Sequence, residues 1–372
     1  MVYRAIGLMS GSSLDGLDIA FVEFQEQAGK WSYEILKADC YPYTDEWVSK
    51  LKNAINLSAR DYQLVHAEYG HYLGEQVNKF INEHQLHYGV AVIASHGHTT
   101  FHIPAKKMTA QLGDGSAIAA KTQLPVVSDL RSLDIAFGGQ GAPIVPIGEK
   151  LLMSEYDYFL NIGGIANISA KPSLSGEGLG EVIAFDICPA NRVLNMLAND
   201  AGKSYDAGGA IAATGLVNSA LLEKLNQLDY YKQPPPKSLA NDFGTDVVYP
   251  MIKGSGCNTA DSLRTYSEHI VFQICNAIET LGNNKPQTTN HKLLTTGGGA
   301  FNTFLIQRLT EQLKELNIEV KVPDTNLINY KEALIMAFIG VLRWRQENNV
   351  FSSVTGAARD SIGGALWTGQ EA

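Results

Sequence analysis

The sequence predicts an α/β protein of two domains, and three observations carry that expectation. Its 372 residues are more than one ordinary core organises. Two apolar hairpins with glycine-containing turns, at 5–24 and 158–169, begin about 150 residues apart, which is one typical domain length. A strand at 292–296 then runs into Gly297-Gly298-Gly299 and a helix from Thr303, a third glycine turn at a strand end.

Composition narrows the class. A hydrophobic fraction of 45% with 18% charged residues is that of a globular chain. The net charge of −9, from 29 Lys+Arg against 38 Asp+Glu, comes without basic clusters or aromatic-basic interleaving. Nucleic acid and anionic membrane surfaces are therefore not the expected partners. The N-terminal apolar run is too short for a signal peptide, and no later run reaches the length of a membrane span, so a cytoplasmic protein is expected. Cys40, Cys188, Cys257 and Cys275 lack metal-type spacing and are expected as reduced thiols.

In the first hairpin, an apolar run ending at Met9 enters a turn of small residues, and a second run leaves from Ile19. The turn holds Gly11, Ser12, Ser13, Leu14, Asp15, Gly16, Leu17 and Asp18. Glycines let backbone N–H groups approach an anion, hydroxyls donate to phosphate oxygens, and a carboxylate can hold the accompanying metal. An ordinary polar hairpin loop with solvated acids has the same composition.

A strand at 31–40 follows, then a helix at 61–83 whose apolar residues recur at three and four, a core-packing pattern. The strand 90–94 ends in Ser95-His96-Gly97-His98. Alternate histidines can face one way, but no neighbouring acid or cysteine completes a metal set. Polar groups just past a strand end more simply line a ligand cleft, where open α/β sheets bind. A short helix spans 113–124, stopped by Pro125, and a strand spans 126–129. The segment 131–143 is too glycine-rich for a helix or strand. Its Arg131 and Asp134 either bind a polar ligand or pair on a surface connector.

The second hairpin turns at Gly163-Gly164 and carries Asn167 on its return strand. This repeats the architecture of the first hairpin without repeating its sequence. The strand 182–187 places Asp186 at a strand end facing a helix start near Pro189, where it either caps that helix or does chemistry. Helical stretches follow at 207–228 and 262–281, separated by the extended Pro234-Pro235-Pro236. The strand-GGG-helix unit has nucleotide-binding geometry, since glycines admit the ligand and a helix N-terminus favours negative charge. It is not the dinucleotide fingerprint, because Asn302 replaces the last glycine. Glu332 opens the final long helix, at 333–346, where an acid also suits the helix dipole.

Two hairpin turns and a strand-GGG-helix together describe the actin and sugar-kinase ATPase plan. The segments GLMSGSSLDGLDIA, SHGHT, DLRSLDIAFGGQGAPIVP, NIGGIANIS, FDICPAN, TTGGGAFN and SVTGAARDSIGG, in order from near residue 5 to near residue 364, resemble the anhydro-N-acetylmuramic acid kinases. The resemblance implies a two-domain actin-like sugar-kinase ATPase fold with an interdomain cleft. Domain boundaries are expected at 1–130, completed by 352–372, and at 131–351. It also implies a homodimer, ATP with Mg2+, and a reaction in peptidoglycan recycling. In that reaction water opens the 1,6-anhydro ring of anhydro-N-acetylmuramic acid, and O6 is phosphorylated.

By the same resemblance, Gly11 to Asp18 match the ATP-binding turn, with Gly163, Gly164, Asn167, Gly297, Gly298 and Gly299 as further nucleotide contacts. Asp186 matches the catalytic acid that takes a proton from the attacking water. His96, Gly97, Arg131 and Glu332 align with segments lining the sugar. The chain departs from the family's usual residues at Ser12 (Thr), at His98 (Gln), at Ile187-Cys188 (Thr-Gly) and at Leu239-Ala240-Asn241 (Thr-Gly-Arg). If the family's glycine supplies a backbone angle at position 188 that Cys188 cannot adopt, Asp186 would be displaced. The alternatives are a kinase of an ordinary hexose hydroxyl, and a protein of the same fold that uses ATP only as a binding switch.

Overall fold

A computed structural model of the chain describes residues 1–11, 13–170, 183–235, 237–240, 242–282 and 290–369. Ser12, Val182, Pro236 and Asn241, all used in the sequence reading, lie outside the described residues. Two compact units are present, Met1–Ser154 with Tyr330–Ala372, and Glu155–Asn329.

The strands in chain order are β1 Val2–Ser10, β2 Gly16–Gln27, β3 Lys30–Pro42, β4 Val92–Ser95, β5 His98–Ile103, β6 Met108–Leu112 and β7 Val126–Ser128. There follow β8 Tyr158–Ile162, β9 Ile165–Ala170, β10 Ile183–Pro189, β11 His291–Thr296, β12 Ile318–Lys321 and β13 Ala365–Trp367. The first unit's sheet has the order β13-β7-β4-β1-β2-β3, and the second's has the order β10-β9-β8-β11-β12. Three consecutive antiparallel strands lie on one side of each sheet. Two strands parallel to the first of the three lie on the other. Setting aside the edge strand β13, the two sheets share one order and one sense. The architectural echo between the hairpins is thus a duplication of sheet topology.

In the first unit Ile6, Leu8, Ile19 and Phe21 pack with Tyr69, Leu73, Val77 and Phe80 of the helix Ala59–Glu83. Ser58 starts that helix by accepting from the Asp61 N–H at 3.2 Å. Gly7 lies so close to the helix Thr325–Trp344 that a Cβ there would sit 1.8 Å from Ala333 O. Only glycine permits that approach. In the second unit Leu160, Ile162 and Ile168 pack with Leu263, Tyr266 and Ile270 of the helix Thr259–Gly282 and with Leu305 and Leu309 of the helix Thr303–Lys314.

The structure departs from the expected boundaries. Residues 131–154 and 330–351, expected in the C-terminal domain, belong to the first unit. The physical cause is long-range bonding. Thr355 Oγ1 donates to Asp134 Oδ1 at 2.6 Å, and Lys331 Nζ meets Glu149 at 3.0 Å, with both side chains 6% exposed.

The segment 131–143, expected without a helix, contains one at Ser132–Ala136 ahead of its glycines, and a second helix, Pro146–Leu152, follows. Glu332 does not open its helix, which starts at Thr325. It lies just beyond Tyr330, whose φ of −117° and ψ of 16° interrupt the helical run. The stretch expected as one interrupted helix at 207–228 is a 3-10 turn at Ala207–Gly209 and helices at Ala210–Thr214 and Ser219–Asn226. All four cysteines are free thiols. No described helix is long and apolar enough to cross a membrane.

Candidate active site

Each unit presents one cluster at the end of its hairpin. In the first unit the β1–β2 register pairs Ser10 with Leu17 and Met9 with Asp18, so the turn between them is short. Ser13 Oγ donates to Asp15 Oδ1 at 2.6 Å, and Leu14 takes a left-handed φ of 57°. A Cβ on Gly16 would lie 2.6 Å from Cys40 Sγ and 2.7 Å from Tyr41 O, so glycine lets β3 close over the turn. Burial raises the Asp18 pKa to about 6. The Cys40 thiol opposes that rise by hydrogen bonding, while Asp15 and Glu332 reinforce it. Acids gathered beside glycines and hydroxyls suit a phosphate accompanied by a divalent cation.

His96 and Arg131 join on the same unit. The guanidinium donates from Nε and Nη2 to His96 Nε2 at 2.9 and 2.8 Å, and from Nη1 to Gly141 O at 2.5 Å. With Nε2 accepting, the imidazole proton sits on Nδ1, which donates to Gly97 O at 2.9 Å. Burial first and Arg131 second push the His96 pKa down to about 3, so the ring is neutral. Gly97 has a φ of +69°, and a Cβ there would come within 2.4 Å of Leu112 O. Glu332 is raised by burial against the opposing charges of Lys331 and Arg131.

Arg131 and Asp134 do not pair. Asp134 is 1% exposed, and its carboxylate accepts from Gly141 N–H at 2.7 Å and from Thr355. It is therefore a structural anchor for the glycine loop and is neither a ligand group nor part of a surface bridge.

His98 serves a different network. Ser10 Oγ lies 3.0 Å from His98 Nδ1 and accepts from Tyr43 OH at 2.8 Å, and Tyr43 OH meets Tyr69 OH at 2.6 Å. Burial lowers the His98 pKa, so the neutral ring joins this hydroxyl network through Nδ1. Among the described residues no group of three or more His, Cys, Asp or Glu is placed to hold a metal.

In the second unit the β8–β9 turn is tied to the helix Asn191–Asn199. Ala190 and Asn191 N–H donate to Gly164 O and Gly163 O at 2.8 and 3.0 Å, and Asn191 Nδ2 donates to Ile162 O at 2.9 Å. The glycine triplet lies against the end of β8. A Cβ on Gly297, whose φ is +80°, would sit 2.3 Å from Asn161 Oδ1, and one on Gly299 would sit 2.2 Å from Ile162 Cγ2. A Cβ on Gly298 would meet, among the described residues, Asn191 Nδ2 at 3.5 Å. Gly163, Gly164 and the triplet, separated by more than a hundred residues in sequence, thus form one glycine-lined edge. Asn302 caps the following helix by accepting from Leu305 N–H at 3.0 Å.

Strand register puts the remaining candidates in one row. Asp186 lies opposite Asn167, which lies opposite Asn161, which neighbours Thr296 in the parallel ladder. Burial raises the Asp186 pKa, and the Leu239 N–H opposes that by donating to Oδ2 at 2.9 Å. Asp186 does not cap the helix after it, whose N-cap is Ala190 with no side-chain bond. The β9–β10 register shifts between Asp186 and Cys188, a bulge that turns the strand just after the acid. Cys188 is fully buried and is not among the residues with a positive φ, so its backbone is one that does not require glycine.

Asn161 and Tyr230, which border Asp186 and its row, carry no role in the sequence. For Asn161 the sequence misleads, because a two-residue turn at Gly163-Gly164 would pair it with Ala166, whereas the three-residue connection 163–165 pairs it with Asn167.

A family model described as anhydro-N-acetylmuramic acid kinase matches residues 3–369. Among curated relatives, an anhydro-N-acetylmuramic acid kinase of Photobacterium profundum is 32% identical, over 98% of this chain and 99% of that protein. One of Hydrogenovibrio crunogenus is 33% identical over 97% of each. Among solved structures, the activator of the 2-hydroxyisocaproyl-CoA dehydratase from Clostridium difficile with bound ADPNP has a TM-score of 0.42 and 13% identity, covering 91% of this chain and 94% of that one.

Proposed function

Because the chain belongs to the anhydro-N-acetylmuramic acid kinase family, we propose that it opens the 1,6-anhydro ring of anhydro-N-acetylmuramic acid with water and phosphorylates O6. The product is N-acetylmuramic acid 6-phosphate, and the step belongs to peptidoglycan recycling. The observation that carries the reading is Asp186. This half-buried carboxylate has a raised pKa and one oxygen held by a backbone N–H, and it shares a row with Asn167 and Asn161 beside a glycine-lined edge.

The residues divide the work. Asp186 takes the proton of the water that attacks C1, as general base. Residues 11–18 and the glycines at 163–164 and 297–299 bring backbone N–H groups to the phosphates of ATP. Asp15 and Asp18 are oxygen ligands of the kind Mg2+ takes, and such a cation would offset the burial, and the lesser repulsion from Asp15 and Glu332, that raise Asp18. Bound Mg-ATP supplies the phosphoryl group and neutralises its charge. Arg131, fixed in its plane by neutral His96, and Glu332 orient the sugar, with Gly97 holding the His96 proton. The protein acts as a homodimer in the cytoplasm, on a small-molecule substrate.

Asp186→Asn tests this assignment. The variant binds ATP as wild type does but turns over the anhydro sugar at least about a thousandfold more slowly, the scale of a lost general base. Turnover near wild type removes Asp186 from the role.

A further inference from the structure

Asp186 is held by a segment that the sequence marked only as a departure from the family's usual residues. Its backbone N–H donates to Lys237 O at 3.0 Å, and its carbonyl accepts from Tyr230 OH at 2.6 Å. Leu239 N–H reaches the carboxylate at Oδ2. The hydrogen bond shown to the carboxylate among the described residues is on Oδ2, not on the other oxygen, Oδ1. Residues 237–239 thus bind the backbone of Asp186 at one point and its side chain at another, while Tyr230 holds the peptide between Asp186 and the bulge.

We propose that residues 237–239 are a positioning strap for the base: the Leu239 N–H takes Oδ2 and leaves Oδ1 as the oxygen that receives the proton of the attacking water. This rests on the reading of Asp186 as the general base. A carboxylate rotates about its Cβ–Cγ bond, and a donor on one oxygen fixes the plane of both. The same N–H favours the ionised form, which burial disfavours. The strap therefore keeps the base charged at a pH where its surroundings alone would protonate it.

The neighbouring ionisable groups do not duplicate this role. Lys237 directs Nζ to Tyr230 O at 3.2 Å and Tyr231 O at 3.5 Å, 4.7 Å from the Tyr230 ring centroid, and forms no ion pair with Asp186 among the described residues. Burial holds both the Tyr230 hydroxyl and the Cys188 thiol protonated, with pKa values well above their ordinary range. From the adjoining strand Asp186 faces Asn167, which carries no charge. Among the described residues Asp186 thus has one donor to its carboxylate, and that donor is on the main chain.

The direct test replaces Leu239 by its α-hydroxy acid analogue, which exchanges the N–H for an ester oxygen and keeps the side chain. The pH profile of kcat/KM for the anhydro sugar is compared with wild type. Loss of a donor to the charged form raises the base pKa, so the acid limb moves upward by about one pH unit. An unmoved limb in a variant with unchanged thermal midpoint overturns the strap. Wild-type protein provides a second readout that needs no altered backbone. The Leu239 amide proton resonance titrates with the midpoint of the acid limb, and the titration disappears in Asp186→Asn. An amide indifferent to pH, or one that still titrates in that variant, also overturns the proposal. Turnover that persists in Asp186→Asn sinks the reading of the base itself. An inactive Asp186→Asn with an unmoved limb sinks only the strap.

Discussion

Arg131 grips His96 through two guanidinium nitrogens that converge on one ring nitrogen, and this fixes the tautomer of the imidazole and the plane of the arginine together. A fork of this kind is not available to an ammonium. Arg131→Lys therefore loses the shared contact to His96 Nε2 and the separate one to Gly141 O. Steady-state kinetics on this variant are expected to show KM for the sugar raised about tenfold or more, the effect of one charge-assisted contact, while KM for ATP changes little. Equal rises in both constants would place Arg131 outside the sugar contacts.

Asp18 gives stability a pH dependence of definite sign. Its folded pKa of about 6 lies above the ordinary aspartate value of 3.8, so the folded state holds the proton more tightly than the unfolded state. That contribution is full below about pH 4 and is lost as pH rises through 6. Without nucleotide, Asp18→Asn is expected to be more stable than wild type at pH 8 by about 2 kcal/mol and equal to it near pH 4. Urea unfolding at the two pH values measures the difference, and a variant less stable than wild type at pH 8 contradicts the assignment.

Two glycines of the second unit carry different constraints. A Cβ on Gly163 would meet nothing closer than Ile165 O at 3.4 Å, an ordinary contact, whereas one on Gly297 combines a φ of +80° with a 2.3 Å approach to Asn161 Oδ1. Gly297→Ala is expected to cost about 2 kcal/mol or more and Gly163→Ala less than about 1 kcal/mol in thermal or urea unfolding. The reverse order would mean that Asn161 is free to move away.

Local alternation and turn chemistry made the hairpins and their glycine turns legible, with Asp18 near the start of β2, whereas Asp186, expected at a strand end, lies within β10, which continues to Pro189. Contacts between distant segments were not legible in this way. The join of Asp134 to Thr355 carries the first unit past residue 130, and nothing near either residue signals it. The hairpin of β5 and β6 escaped because its strands are mostly half-exposed and polar, and its connection, 104–107, has neither Gly nor Asn. Gly297 against Asn161 is likewise a meeting of two neighbouring parallel strands, and the strand order that brings them together is set by the whole sheet. The Leu239 N–H left no mark at all, because a backbone donor has no residue type.

In the proposed reaction water, and not only a phosphoryl group, is added to the sugar. Incubation with 1,6-anhydro-N-acetylmuramic acid and Mg-ATP, followed by mass spectrometry of the product, tests it directly. The expected product is heavier than the substrate by one phosphoryl group plus one water molecule. A product heavier by the phosphoryl group alone, or an unchanged sugar alongside consumed ATP, would contradict it.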